Sequence, residues 1–246
     1  LNELDYYIVT VPTPISDNCK PDYSFLLSAS TLIGKQMKKG SIVIYESTVN
    51  PGATEEICVP CLEKFSNYVW KKDFNVAYSP ERLVPGSKTH TLRNIDKLVA
   101  GDTNEVRNKV AKLYSKILTS KIIKCSSIKV AEAAKVIENT QRDMNIAFFN
   151  ELSNIFYNLN INTEEVIDAA STKWNFLKFE PGLVGGHCLS VDPYYLIHTA
   201  RATGYQPKLL ESARNVNENL AKNIADRMLS CVSKNKNNLK IAIFGL

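Results

Sequence analysis

The chain has 246 residues, 44% of them hydrophobic and 22% charged, with a net charge of +5. These are ordinary globular values. The lysines are scattered among acids with no basic run interleaved with aromatics, so no nucleic-acid partner is implied. No apolar run is long enough to span a bilayer, and no signal-peptide pattern opens the chain.

Tyr6 to Val11 is a continuous apolar run, as in a parallel strand buried on both faces, and it ends in Pro12-Thr13-Pro14. Tyr23 to Lys38 has helical spacing, with Gly40 as its stop signal. Ser41 to Tyr45 reads as a second buried strand, ending in Glu46-Ser47-Thr48. Thr54 to Phe65 reads as a helix. Phe74 to Tyr78 is a strand ending in Ser79-Pro80-Glu81-Arg82, Lys97 to Ala100 a short strand, Glu105 to Leu118 a helix and Lys121 to Cys125 a further strand. Strands alternating with helices predict a doubly wound, Rossmann-type parallel sheet, whose ligands sit at the carboxyl ends of the strands. Those ends carry Thr13, Thr48 and Glu81.

No Gly-x-Gly-x-x-Gly occurs, so the fingerprint that holds a pyrophosphate is not in the chain. The six cysteines are irregularly spaced, which suits free thiols in a reducing cytoplasm. Cys58 and Cys61 read as a core pair on one helix, because no second pair or histidine cluster completes a metal site.

Ser126 and Ser127 are N-cap candidates for one very long helix, Ile128 to about Leu159, on the order of 50 Å at 1.5 Å per residue. Lys135, Asn139 and Arg142 share a stripe of it at i, i+4 and i+7. The bland reading is a solvated face. The sharper one is a lysine and an asparagine that polarise an oxygen. Asn162 with Glu165 resembles a capping box opening Thr163 to Ser171. Tyr194 to Thr203 and Pro207 to about Val232 read as helices, so the middle of the chain is expected to be all-helical. Between them and Pro181 lies Gly182-Leu183-Val184-Gly185-Gly186-His187-Cys188-Leu189-Ser190-Val191-Asp192-Pro193. Asp192 is the expected N-cap of the next helix and Pro193 its first residue. Cys188 would then lie one turn before a helix N-terminus, where partial positive charge favours a thiolate, making it a candidate nucleophile.

Five local sequences occur in order: Val11-Pro12-Thr13-Pro14; Glu46-Ser47-Thr48-Val49 with Pro51-Gly52; Ser79-Pro80-Glu81-Arg82-Leu83 with Gly86; Ala131-Glu132-Ala133-Ala134-Lys135 with Asn139; and Gly185-Gly186-His187-Cys188 with Asp192-Pro193. This set resembles the UDP-glucose/GDP-mannose dehydrogenase family. Lys173-Trp174-Asn175-Phe176-Leu177 and the Gly-Gly-His-Cys run look most like its Vi-antigen-type branch, which oxidises UDP-N-acetylglucosamine or UDP-N-acetylgalactosamine for surface polysaccharides. The resemblance implies a cytoplasmic, NAD-dependent enzyme that oxidises the sugar C6 alcohol to a carboxylate through a cysteine thioester. It implies Cys188, Lys135, Asn139, Asp192, Glu81 and Thr48 as catalytic. Pro12, Thr13 and Thr48 would contact NAD. Glu81, Arg82, Leu83, Lys135, Asn139, Arg142, Phe179, Gly185 and Gly186 would contact a UDP-N-acetylhexosamine. No metal is implied. Val191, Pro85 and Arg82 stand where the UDP-glucose enzymes have a lysine, a glutamate and an aromatic residue.

Carried over, residues 1–126 are the C-terminal half of an NAD-binding domain. Residues 127–233 are a helical central domain that dimerises, and 234–246 a linker and the first strand of a UDP-binding domain. The chain thus reads as the middle portion of a longer protein. Two other readings are open: a β-hydroxyacid or 6-phosphogluconate-type dehydrogenase, which needs no nucleophilic cysteine, and an inactive fragment that only dimerises.

Overall fold

The structure is a computed structural model and describes residues 4–83, 86–89, 91–231 and 240–244. By packing, the chain divides into two compact units: Leu1–Asp143 with Gly185–Glu211, and Met144–Val184 with Ser212–Leu246.

The first unit is built on five strands: β1 (Tyr6–Val9), β2 (Ile42–Tyr45), β3 (Asn75–Tyr78), β4 (Lys97–Gly101) and β5 (Ile122–Lys124), in that spatial order. Helices α1 (Ser24–Gly34), α2 (Val59–Ser66) and α3 (Asn104–Tyr114) connect them, a π-helical turn at Thr54–Cys58 leading into α2. Period-two alternation on β2 sends Val43 and Tyr45 to one face of the sheet and Ile42 and Ile44 to the other. The first pair packs with Leu26 of α1 and Leu62 of α2. The second packs with Val106, Val110 and Tyr114 of α3. The sheet is therefore covered on both faces. Each fully buried Ile or Val side chain contributes about 1.5–3 kcal/mol.

Two features differ from the sequence expectation. Ile8 is half exposed, because β1 is the edge strand among the described residues and has one neighbour. And β4 runs antiparallel to β3, while the other three pairings are parallel. A parallel return needs a helical crossover to carry the chain back to the other edge. The described residues of the connection 79–96 contain no helix, and β4 starts at the edge where β3 ends. Asp102 closes the far end, accepting from Trp70 Nε1 at 2.7 Å and the Val76 amide at 2.9 Å. Gly101 is required there: a Cβ on it would meet the Arg107 amide of α3 at 2.5 Å.

The long helix α4 (Ile128–Asn158) forms as expected, with Ser127 Oγ accepting from the Val130 amide. Ile128 and Ala131 join the core between the sheet and α1–α2. In the second unit, α4 continues beside α5 (Thr163–Ser171), which Asn162 caps by accepting from Glu164 and Glu165 amides. Asn150, fully buried, donates to the Gly182 carbonyl at 3.1 Å and accepts from the Gly182 amide at 2.8 Å. Helices α6 (Asp192–Ala202) and α7 (Lys208–Ser230) complete the list. Of the linker and strand expected over 234–246, the described residues Lys240 to Phe244 show no strand pairing. Pro85 and Val232 lie outside the described residues.

Candidate active site

Because β1, β2 and β3 are parallel, their carboxyl ends share one edge of the sheet, and the antiparallel β4 brings its first residue, Lys97, to the same edge. The ends are stitched together. Ser47 Oγ donates to the Val11 carbonyl at 2.6 Å and Thr13 Oγ1 to the Thr48 carbonyl at 2.7 Å. Thr13 is then fixed from its other side, where the buried Tyr195 hydroxyl of α6 donates to the Thr13 carbonyl at 2.9 Å. Thr13 and Thr48 are half-buried and Pro12 is exposed.

Along the first turns of α4 the stripe foreseen in the sequence grades from buried to open. Lys135 is buried, Asn139 half-buried and Arg142 exposed. Asp192 is buried against it, accepting from Asn139 Nδ2 at 2.5 Å. Burial pushes this carboxyl up to about 6; the Asn139 hydrogen bond and the Lys135 charge oppose the rise, and Glu138 adds to it. Asp192 is thus not the N-cap of α6 but its first residue, and Val191 holds the cap position. The carboxylate is spent on Asn139 and does not turn back onto its own helix. One of the two Asn139 N–H groups is committed to Asp192; the other is the one that could meet a ligand.

Cys188 is exposed, and the Cys188 carbonyl accepts the amides of Val191 and Asp192 at 3.1 and 2.8 Å. The preceding turn needs Gly186, whose φ is +82°. The charges of Asp192, Lys135 and Glu81 all act on the thiol. The direction differs from the sequence expectation. Partial burial first, then the Asp192 and Glu81 charges, push the thiol up, and Lys135 only partly offsets them. Two nearby carboxylates and lost solvation outweigh a helix terminus that acts within one turn.

Glu81 is half-buried and accepts from the Leu83 amide. Arg82 reaches α4, pairing with Glu138 at 2.7 Å and donating to the Asp96 carbonyl at 2.8 Å. Leu83, Gly185 and Gly186 are exposed. Phe179 lies in the second unit, its ring 6.2 Å from that of Phe149.

Three residues of this region escaped the sequence reading. Glu132, fully buried one turn before Lys135, accepts the Gly52 and Thr54 amides at 2.5 and 2.9 Å and so holds the segment after Thr48. Its signal was present, a glutamate between alanines on the inward face of a helix. Lys97 and Tyr195, on distant segments, gave none. Cys58 is buried, its thiol pushed up to about 12 by desolvation, which is core behaviour.

A sheet covered on both faces, with polar groups gathered at one edge of strand ends, defines a dinucleotide-binding α/β protein. For NAD the donor set can be tested directly. Thr13, Thr48 and Glu81 supply hydroxyl and carboxylate groups on that edge, of the kind that can hydrogen-bond a carboxamide such as that of NAD. The glycine turn that cradles a pyrophosphate is not in the sequence.

The chain belongs to the UDP-glucose/GDP-mannose dehydrogenase family: residues 1–118 match its NAD binding domain and residues 129–219 its central domain. It is 56% identical over 229 residues to "Protein CapL" of Staphylococcus aureus, covering 93% of this chain and 54% of that protein. To the UDP-N-acetyl-D-glucosamine 6-dehydrogenase of Pseudomonas aeruginosa it is 52% identical, covering 96% of this chain and 56% of the relative. The solved UDP-D-ManNAc dehydrogenase of Pyrococcus horikoshii superposes with a TM-score of 0.84 at 33% identity, over 92% of this chain and 53% of that one. The chain spans about half the length of the curated relatives it matches.

Proposed function

We propose that the protein carrying this chain is a nucleotide-sugar 6-dehydrogenase. It oxidises the C6 alcohol of a UDP-N-acetylhexosamine to the uronic acid, in the cytoplasm, for surface polysaccharide synthesis. The observation that carries the reading is the exposed Cys188, whose carbonyl accepts the Asp192 amide, followed by the buried Asp192 carboxyl bonded to Asn139 one turn along α4 from the buried Lys135. The names of the relatives support the substrate class. A β-hydroxyacid-type dehydrogenase would have no use for the thiol.

Thr13, Pro12 and Thr48 would hold the nicotinamide end of NAD, which accepts the hydride in each oxidation. Lys135 and the second N–H of Asn139 hold the C6 oxygen as it gains negative charge. Asp192, ionised above about pH 6, takes the hydroxyl proton through a water. Cys188 then attacks the aldehyde carbon, giving a thiohemiacetal and, after the second oxidation, a thioester. Glu81 and Thr48 position the water that releases the acid. The expected stoichiometry is two NADH per sugar, and one NADH per sugar would sink the reading. In Lys135→Ala the first NADH should form about 10²–10³-fold more slowly, since the oxygen loses its buried cation. A Lys135→Ala variant whose first-turnover burst matched wild type would remove Lys135 from this role.

We further propose a homodimer through the helices of the second unit. There α4 exposes Phe148, Ile155 and Tyr157, and α7 exposes Ile224, Met228 and Leu229. Exposed apolar side chains on two neighbouring stretches of helix suit an association surface. Light scattering at tens of micromolar should give twice the protomer mass; a monomer would count against the proposal.

A further inference from the structure

At the site's edge of the sheet, directly behind Glu81, lies a lysine that the mechanism above does not use. Lys97 is the first residue of β4 and is 3% exposed. The Lys97 Nζ donates to the carbonyls of Ser79 and Pro80 at 3.1 and 3.3 Å, the two residues that precede Glu81. It pairs with Glu46 Oε2 at 3.0 Å and lies 4.9 Å from the centroid of the Tyr114 ring. The Tyr114 hydroxyl donates to the other Glu46 oxygen, and the Glu81 amide donates to the Glu46 carbonyl at 3.2 Å. The Glu81 charge acts on the ammonium. A lone counter-ion for Glu46 would not need to sit under two carbonyls of the Glu81 turn. A buried ammonium is costly unless its donors are all engaged, and here they fix the backbone on which Glu81 stands.

We propose that Lys97 is a positioning residue for thioester hydrolysis: by holding the Ser79 and Pro80 carbonyls it sets the Glu81 carboxylate against the water that attacks the acyl carbon. In that step the water oxygen bonds to the thioester carbon and the carbon–sulfur bond breaks. The electron pair returns to Sγ of Cys188, and one water proton ends on that sulfur. This rests on the proposed dehydrogenase reading, and it separates Lys97 from Lys135 by step: Lys135 serves the oxidations and Lys97 only the release of acid.

The test is made in the protein carrying this chain, with UDP-N-acetylglucosamine and NAD. Lys97→Met should keep the NADH burst of the two oxidations, slow steady-state turnover about 10²-fold, as displacement of a reacting group by about 1 Å does, and accumulate an acyl adduct on Cys188 by intact-protein mass spectrometry. Because that variant leaves Glu46 buried and unpaired, the double variant Lys97→Met/Glu46→Gln is made beside it, removing both charges. If Lys97 only neutralises Glu46, the double variant turns over at the wild-type rate with no adduct, and the proposal is overturned. If it positions the turn, the double variant folds, gives the burst and still accumulates adduct. Loss of the burst in the double variant also overturns the proposal, by placing Lys97 in the oxidations. A wild-type protein that yields one NADH per sugar and no adduct in Glu81→Gln overturns the underlying reading instead.

Discussion

Cys188→Ser is expected to form the first NADH of each turnover and almost none of the uronic acid. In the proposed mechanism the first oxidation needs an oxygen held by Lys135 and a proton taken by Asp192, and the variant leaves both residues unchanged. The second needs a nucleophile on the aldehyde. A serine hydroxyl is far less ionised than a thiol, and a serine ester hydrolyses more slowly than a thioester. Aldehyde or a covalent ester should therefore build up on the protein. Single-turnover NADH bursts with intact-protein mass spectrometry read both quantities. Wild-type yield of acid from Cys188→Ser would make this an ordinary loop thiol.

Asp192→Asn should cost about 10²–10⁴-fold in the first oxidation, the usual worth of a positioned general base, and yet not weaken the fold at neutral pH. The sign follows from the carboxyl itself. Its value in the folded protein is raised from 3.8 to about 6, mainly by burial, so the fold disfavours the charged form. That destabilisation is absent below the unfolded value, grows between about pH 4 and 6, and persists above. An asparagine still accepts from Asn139 and carries no charge. The variant should unfold at a higher temperature than wild type at pH 8, and this advantage should vanish near pH 4. Destabilisation at pH 8 that disappears near pH 4 would show instead that the carboxylate is a structural ion. In wild type, the same titration predicts that the first oxidation falls away as pH drops through about 6.

Much of the fold was legible because its signals are local. Ser127 marks the start of α4, Asn162 caps α5, and unbroken apolar runs give β2 and β3. Strand direction was not legible: a four-residue buried run such as β3 reads the same either way, and the antiparallel β4 follows a connection with no helix among its described residues. At the site, the stripe of Lys135 and Asn139 follows from helical spacing alone. The raised thiol of Cys188 did not, because its neighbours Asp192 and Glu81 come from other segments and outweigh the helix terminus. The pairing of Glu46 with Lys97 joins two strands that no short motif connects.

The direction of the Cys188 titration has a cost and a benefit outside the reaction cycle. Peroxide and other electrophiles react with thiolates, and an exposed thiolate is soon carried to sulfenic acid and beyond. Cys188 is exposed, yet partial burial first, then the Asp192 and Glu81 charges, push its thiol toward the neutral form. A thiol held this way is expected to be oxidised by peroxide more slowly than a freely solvated cysteine. The same setting is expected to slow its alkylation at neutral pH.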